Sequence, residues 1–406
     1  MSLEEMVKTT TRNAEVLAAV VAATGMAAAR ASAAPQQAYI DQIARCPVVH
    51  AGDGQYAVFQ MDDLLAINKS RVVEQASKYL GGSEPAIPLG LDGDEHRKYR
   101  RLLDPVFTAK RVAPLGDKVR ELANEMIDSF IANGEVDAYH QWCEPLPSTI
   151  FLSIMGLPLE DLEDFLSFKR MILTGAGLDD LSADEQMAKR VGAVVWIQEY
   201  FNRDLDFREQ EAEPRDDMIS WLLNTEVEGE RLSRSDMLSI LGLLMIAGLD
   251  TVAASLACFL SYLARNPDRR AEILADPELI PGAVEELMRF ESPVVEGTRL
   301  VLEDLTLPSG TTIPGGSAVL ISWHGANVDP GAFPNPLEVD FHRAPNAHVG
   351  FASGFHRCLG SHLARLELRI ALQVWHERIP NYSIKPGVEL SYAGNPRTPH
   401  FLPLVW

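Results

Sequence analysis

Cysteine is scarce in this chain. Its four cysteines show neither pairing nor the close spacing of a metal site: Cys46, Cys143, Cys258 and Cys358. Structural zinc sites and iron–sulfur clusters need several ligands near one another, so this spacing excludes both. Small secreted domains pair their cysteines in disulfides, so scattered cysteines indicate a reducing, cytoplasmic setting.

Positive charge is also in short supply. Lys and Arg number 36 against 57 Asp and Glu, which gives a formal net charge of −21. Phosphate backbones and anionic lipid surfaces repel so acidic a chain, so nucleic acid and anionic membranes are excluded as general partners. The sequence also lacks the glycine fingerprint of a dinucleotide-binding fold and any flavin-type motif. Any electrons that the protein uses must therefore come from another protein.

Long hydrophobic runs are few. Residues 16–29 are alanine-rich and precede Ala31-Ser32-Ala33, which is typical of a signal-peptidase site, but the acidic residues before them argue against a leader. The run is also shorter than the roughly 20 residues of a spanning helix. Residues 237–264 are longer, but a central Asp250 would cost about 3 kcal/mol in a bilayer. We expect a first helix that is either mobile or packed on the surface, a buried central helix and no stable membrane anchor.

Helical periodicity dominates most of the remaining chain. It runs from Glu95 to about Arg265, with breaks near 175–180 and 209–215, after a loop at 78–93. Short β-branched runs with turn residues predict strands at 46–59, 311–314, 318–321 and 382–406. The pattern predicts a mainly α protein with a small β-rich lobe.

The most informative stretch is H-V-G-F-A-S-G-F-H-R-C-L-G-S-H-L-A-R, residues 348–365. A glycine-bearing loop leads to Cys358, where helical periodicity begins. A helix N-terminus lowers the pKa of a thiol, which suits it as a metal ligand. A lone cysteine is more often a small buried hydrophobe. One thiolate cannot close a zinc site, but it can hold an axial position of a haem iron.

A second unusual stretch lies in the middle of the predicted central helix. Ala247-Gly248-Leu249-Asp250-Thr251 places a carboxylate and a hydroxyl among apolar residues. Buried polar groups cost free energy unless they find partners. This pair is therefore either a satisfied structural pair or a functional one, and glycine at 248 would let the helix widen there.

These stretches resemble the cytochrome P-450 family. The haem-ligand signature is matched at Phe351, Gly354, His356, Cys358 and Gly360, and Ala352 stands where the family usually has a second glycine. Further matches are the E-x-x-R motif at Glu286 and Arg289 with Arg343 downstream, and H-x-x-x-R at His96 and Arg100. Val339 replaces a common Phe.

The resemblance implies the cytochrome P-450 fold, with 1–45 as an N-terminal extension and first helix and 46–406 as a single domain. It implies haem b with Cys358 as the iron ligand, and propionate or haem contacts from these residues: His96, Arg100, Gly248, Arg299 and His356. Glu286 would bind two arginines and serve the scaffold only. Thr251 would hydrogen-bond the dioxygen, and Asp250 would relay protons from solvent.

The implied function is oxygen insertion into an apolar small molecule such as a lipid, steroid, terpenoid or alkyl-aromatic compound. Predicted pocket walls are Leu243, Leu244, Ala247, Val294 and Val295, with the segments 87–89 and 393–394. A ferredoxin would supply electrons at a basic face formed by Arg97, Arg101, Lys110, Arg111, Arg357 and Arg365. The alternatives are a peroxide-driven peroxygenase, which would not need Asp250 and Thr251, and a haem sensor or carrier.

Overall fold

A computed structural model describes residues 15–76, 85–175, 177, 178 and 180–406 of the chain. They form two compact units. Among the described residues, the first unit comprises 85–105 and 147–250, and the second comprises 15–76, 106–146 and 251–406. The predicted division into an extension, 1–45, and a single domain, 46–406, stays a prediction.

The protein is mainly helical with small sheets, as the sequence predicts. In chain order the helices are α1 (described over Glu15–Thr24), α2 (Ala27–Ala31), α3 (Gln36–Arg45), α4 (Met61–Lys69), α5 (Gly93–Leu103), α6 (Ala109–Val112), α7 (Gly116–Phe130), α8 (Pro145–Met155), α9 (Leu162–Thr174), α10 (Ala183–Arg208), α11 (Met218–Leu223), α12 (Arg234–Arg265), α13 (Pro267–Ala275), α14 (Ile280–Glu291), α15 (Trp323–Asn327) and α16 (Ser361–Arg378).

The strands are short. In chain order they are β1 (Val48–Gly52), β2 (Gln55–Val58), β3 (Val73–Gln75), β4 (Glu135–Asp137), β5 (Glu226–Val227), β6 (Glu230–Arg231), β7 (Glu296–Val301), β8 (Leu305–Thr306), β9 (Thr312–Ile313), β10 (Ala318–Ser322), β11 (Ser383–Ile384), β12 (Tyr392–Ala393), β13 (Thr398–Pro399) and β14 (Pro403–Val405).

In the first unit, aromatic rings join α9 to α10. Phe165 on α9 lies 5.0 Å from Tyr200 and 5.8 Å from Trp196 on α10, measured between ring centroids. At the end of α10, the buried Arg208 donates to Asp217, the N-cap residue of α11, and to the Gly156 carbonyl oxygen at 2.7 Å. The ring contacts hold α9, which also carries the buried Lys169, against α10.

The core of the second unit is built from α7, α14, α16 and the part of α12 that follows Asp250. Its fully buried side chains include Ile127, Leu256, Leu287 and Leu372 from these four helices. Because α14 and α16 both pack in this core, the loop between 348 and 361 starts and ends against fixed elements.

The largest sheet of the second unit has the strand order β1-β2-β10-β7-β3. All five residues of β10 are buried, as expected for a central strand. The hairpin predicted at 46–59 is confirmed, and Asp53 and Gly54 take the left-handed backbone its tight turn requires. The strands predicted at 311–314, 318–321 and 382–406 are also present.

Some predictions needed refinement. Helix α5 begins at Gly93, before the predicted Glu95, and the first part of the predicted loop, 78–84, lies outside the described residues. Six strands were not predicted: β3, β4, β5, β6, β7 and β8. All except β7 have only two or three residues, which give too little alternation to be recognised. Helix α1 packs through Val16 and Val20 in a cluster with core residues of the sheet, so of the two predicted alternatives the packed helix is the one observed.

Helix α12 forms over the segment in which residues 237–264 predict a helix. Its 32 residues begin after Ser233, whose hydroxyl accepts a hydrogen bond from the Asp236 N–H at 3.1 Å. It is the one helix in the described part of the chain that is long and apolar enough to cross a membrane. However, 72% of its most apolar window is buried inside the protein, as the prediction of a buried central helix requires.

Candidate active site

The loop before Cys358 has a strained backbone. Ala352 has φ +56° and Gly354 has φ +69°. A Cβ at Gly354 would lie 2.3 Å from the Asn68 carbonyl oxygen, so only glycine fits where the loop crosses the end of α4. The Asn68 amide also donates to the Ser353 hydroxyl at 2.9 Å. The loop is thereby fastened to α4.

Cys358 is exposed, and its N–H donates to the Phe351 carbonyl oxygen at 2.9 Å. Helix α16 begins at Ser361, so the cysteine precedes the helix by three residues rather than opening it. Cys358 therefore lies at the end of a loop that this hydrogen bond closes, just before α16.

The other cysteines have different surroundings. Cys143 and Cys258 are fully buried, and burial raises the pKa of Cys258 to about 12 and that of Cys143 well above its usual value. Cys46 is exposed, but its thiol donates to the Val48 carbonyl oxygen at 3.0 Å. No cluster of three or more metal-binding side chains occurs within the described ranges. Of the four cysteines, Cys358 is therefore the candidate for ligation by a single thiolate.

The E-x-x-R prediction is confirmed in detail. The Glu286 carboxylate accepts from Arg289 at 2.7 and 2.9 Å and from Arg343 at 3.0 and 3.1 Å. Glu286 and Arg289 are completely buried. The same carboxylate accepts from the Asn346 amide at 3.0 Å, two residues before the loop sequence begins at His348. This cluster fastens the start of the loop to α14.

Asp250 and Thr251 are consecutive residues in the middle of α12. Asp250 is 4% exposed, and its Oδ1 lies 3.2 Å from Nζ of Lys169 on α9. Thr251 is half-buried, and its carbonyl oxygen accepts from the Ser255 hydroxyl at 2.8 Å. The carboxylate is thus held as one member of a buried ion pair.

Gly248 has a packing role that the sequence did not reveal. A Cβ at this position would lie 2.5 Å from the ring of Phe151 on α8. The sequence suggested that this glycine lets the helix widen. In the structure its missing side chain is the space into which the Phe151 ring fits.

The predicted haem-binding residues are distributed over both units. His96, 3% exposed, and Arg100 lie on α5 of the first unit, and Arg100 pairs with Asp104 at 2.8 Å. Arg299, on β7 of the second unit, is 6% exposed and donates to the Gln75 amide oxygen at 2.8 Å. His356 lies two residues before Cys358, in a short 3-10 turn.

These residues fit a haem chemically. One exposed thiol on a glycine-dependent loop suits an axial iron ligand, whereas guanidinium and imidazole groups are the donors that two propionates require. The assignments of His96, Arg100, Gly248, Arg299 and His356 to the cofactor stay predictions.

The predicted pocket walls differ in exposure. On α12, Leu243 is buried, Leu244 is half-buried and Ala247 is exposed. In the second unit, Val294 is half-buried, and Val295, 2% exposed, lines a cavity of about 200 Å³. The rest of that lining is Ala27, Arg30, Ala31, Tyr39, Tyr392, Ala393, Gly394 and Arg397. This cavity carries two guanidinium groups and includes none of the predicted walls from α12.

Sequence reasoning missed several residues near these sites. Lys169 shares the apolar face of α9 with Phe165. A lysine at an apolar position of a helix was therefore the signal that could have indicated a buried charge. Glu285 and His348 flank motif residues, but their mutual contact of 3.0 Å joins segments 63 residues apart.

Of the predicted basic face, Arg365 is bound by Glu285 and Arg97 by Asp94, whereas Arg101, Lys110, Arg111 and Arg357 are exposed.

Comparison with known proteins gives one consistent result. The family described as cytochrome P-450 matches residues 68–375. The mycinamicin IV hydroxylase/epoxidase of Micromonospora griseorubida is 34% identical over 78% of this chain and 79% of its own length. The steroid C26-monooxygenase of Mycolicibacterium smegmatis is 29% identical over 91% of this chain and 92% of its own.

A solved structure agrees with the sequence relatives. The crystal structure of a cytochrome P-450 in complex with an acyl carrier protein carrying hexadec-9Z-enoic acid superposes with a TM-score of 0.82 at 26% identity. The match covers 92% of this chain and 98% of that one. With the thiol-bearing loop, the buried E-x-x-R cluster and these relatives in agreement, the chain belongs to the cytochrome P-450 family, whose members are haem-thiolate monooxygenases.

Proposed function

We propose that this monooxygenase hydroxylates an apolar small molecule, such as a lipid, steroid, terpenoid or alkyl-aromatic compound, in the cytoplasm with electrons from a ferredoxin. The observation that carries the proposal is the exposed Cys358 thiol on its fastened loop. The buried Asp250 beside Thr251 in an otherwise apolar helix supports it.

Haem b, when bound, supplies the redox chemistry that activates dioxygen. Cys358 would ligate its iron. Four further residues would bind the propionates through charged or polar hydrogen bonds: His96, Arg100, Arg299 and His356. Ala352 and Gly354 hold the left-handed backbone of the loop that carries the thiol.

Asp250 and Thr251 would manage protons. Inserting one oxygen atom releases the other as water, which takes up two protons. A carboxylate at the centre of α12 can pass protons inward from solvent, and the adjacent hydroxyl can donate at the reaction site. Lys169 supports this role because it keeps a charge on the buried Asp250 tolerable.

The substrate class follows from the walls. Leu243, Leu244, Ala247, Val294 and Val295 offer aliphatic surface, which favours an apolar ligand over a sugar or an ion. Two relatives are named for mycinamicin IV and for a steroid, which are ligands of this general kind.

A ferredoxin is proposed as the electron donor because the sequence has no flavin or iron–sulfur motif of its own. In the second unit Lys110 and Arg111 lie on α6, which packs on α16. With Arg357 beside the ligand they give an otherwise acidic chain exposed positive charge near Cys358, which would attract an acidic carrier. Arg97 and Arg101 of the first unit are the other proposed contributors. Arg365 contributes less than predicted, because Glu285 neutralises it.

The test is the absorption spectrum of the reduced protein under carbon monoxide. A strongly red-shifted Soret band is expected, because it requires a thiolate opposite the gas. Cys358→His should abolish that band, whereas Cys46→Ser, at the other exposed cysteine, should leave it unchanged. A normal band in Cys358→His would refute the assignment.

A comparison of turnover with two oxidant systems then distinguishes the proposed monooxygenase from a peroxygenase. Product formation with NADH, reductase and ferredoxin should exceed that with hydrogen peroxide, and lipophilic candidates should shift the ferric iron from low to high spin. Faster turnover with peroxide alone would favour the alternative.

A further inference from the structure

One carboxylate joins the segments on both sides of Cys358. Glu285, on α14, accepts from Arg365 on α16 through two bonds, Nε to Oε1 at 2.7 Å and an Nη to Oε2 at 2.8 Å. Its Oε2 also lies 3.0 Å from His348 Nε2. Arg365 follows the cysteine and His348 precedes it, so Glu285 connects the two ends of the ligand loop.

The second ring nitrogen of His348 fixes the state of the imidazole. The Gly350 N–H donates to Nδ1 at 3.1 Å, and the side chain is 2% exposed. A nitrogen that accepts carries no proton, so the proton lies on Nε2 and points at Glu285. The tautomer with its proton on Nε2 therefore satisfies both the contact with Glu285 and the contact with Gly350. The Gly350 N–H thereby links the loop backbone to Glu285 through the imidazole.

This network reaches the backbone of Cys358. The Arg365 guanidinium carbon lies 4.2 Å from the centre of the Phe351 ring, within the range of a cation–π contact. The Phe351 carbonyl oxygen accepts the Cys358 N–H at 2.9 Å. Phe351 thus contacts Arg365 through its ring and accepts the hydrogen bond of the Cys358 N–H through its carbonyl oxygen.

The Glu285 carboxylate is held as an anion. Burial raises its pKa, but hydrogen bonds from His348 and Arg365 outweigh that effect and bring the pKa to about 2. A permanent negative charge therefore faces both donors at any pH at which the protein functions.

We propose that Glu285 and His348 are positioning residues for the haem ligand. By holding the segment before Cys358 against the helix after it, they fix the direction of the sulfur and the backbone donors around it. They thereby govern haem retention and the reduction potential of the iron. The inference rests on the proposed role of Cys358 as the ligand.

Two substitutions separate the two contacts of His348. In His348→Asn the amide oxygen can replace Nδ1 as the acceptor for Gly350, but the side chain is too short for Glu285. In His348→Gln the amide nitrogen can reach Glu285, but Gly350 loses its acceptor. Glu285→Gln keeps the shape and removes the charge. Glu377→Gln is the matched control. Glu377 lies on α16, the helix of Arg365, and the substitution breaks its surface pair with Arg120 on α7.

In the purified holoenzymes we expect the Glu285→Gln and His348 variants to release haem roughly 10-fold faster, with a shifted reduction potential. Glu377→Gln should match the wild type in both. A lowered melting temperature with unchanged haem release and potential would mean a purely structural role and would overturn the proposal.

The tautomer gives a readout that does not depend on catalysis. In the diamagnetic carbon-monoxide complex, ¹⁵N-histidine spectra should show His348 with a bare Nδ1 and a protonated Nε2. A protonated Nδ1 at neutral pH would overturn the proposed chain of contacts. Failure of the proposed function would appear separately, as a Cys358→His protein that keeps the red-shifted band.

Discussion

Lys169 and Asp250 form an ion pair that is almost closed to solvent. Nζ lies 3.2 Å from Oδ1, and the two side chains are 2% and 6% exposed. Desolvating an ion costs several kcal/mol, so each charge is tolerated because the other is present. The pair ties α9 to α12 at the residue before Thr251, where the proposed proton transfer takes place.

Breaking this pair should destabilise the protein. Lys169→Met and Asp250→Asn should each lower the free energy of unfolding by about 3 kcal/mol, because each removes one partner of a buried ion pair and leaves the other charge uncompensated by it. The double variant should lose clearly less than the sum of the two, as urea unfolding of all four proteins would measure. Additive losses would mean that the two charges do not depend on each other.

Thr251→Ala should lower the amount of product formed for each NADH consumed. The variant should keep haem and substrate binding, because Thr251 is proposed to serve proton delivery only. A larger share of reducing equivalents should then end as hydrogen peroxide. The control is Ser255→Ala one turn later, which removes the hydroxyl that bonds the Thr251 carbonyl oxygen. Unchanged coupling of product to NADH in Thr251→Ala would refute the proton-delivery role.

Ala352→Gly should stabilise the ligand loop. A non-glycine residue in the left-handed region is strained by about 1–2 kcal/mol, and Ala352 has φ +56°. After the entropy that glycine adds to the unfolded chain, a net gain of about 0.5–1 kcal/mol should remain in thermal unfolding.

Gly354→Ala should act in the opposite direction, because its Cβ would meet the Asn68 carbonyl oxygen at 2.3 Å. We expect lower stability and weaker haem retention. Equal melting temperatures for the Ala352→Gly, Gly354→Ala and wild-type proteins would show that the loop backbone is not strained.

Glu367 should make stability fall as pH rises. It is 4% exposed on α16, and burial raises its pKa to about 8. Between about pH 4.5 and 8 the folded state keeps a proton that the unfolded chain has lost, so stability decreases with pH across this window. Glu367→Gln should remove that slope and stabilise the protein more at pH 8 than at pH 5, as urea titrations would measure. A variant with the wild-type pH slope would contradict this.

Local signals explain what could be predicted. The loop motif, the N-cap at Ser233 and the E-x-x-R spacing are each written within a few consecutive residues, where glycine, capping and helical periodicity act directly. The sequence could therefore identify Cys358 as the candidate ligand and α12 as a buried helix with a polar centre. It also indicated that Glu286 would bind two arginines.

Contacts between distant segments could not be predicted, because they depend on how the helices pack. The sequence around Lys169 does not indicate that Asp250 is its partner. The sequence around Gly248 likewise does not indicate that the Phe151 ring packs against it. The same holds for Glu285, which binds His348 and Arg365 from opposite sides of the loop. Short-range patterns were enough to predict the family, the candidate ligand and the helical architecture. Only the tertiary structure decided which charges are paired and what holds the ligand loop, because burial and ion pairing arise when separate helices meet.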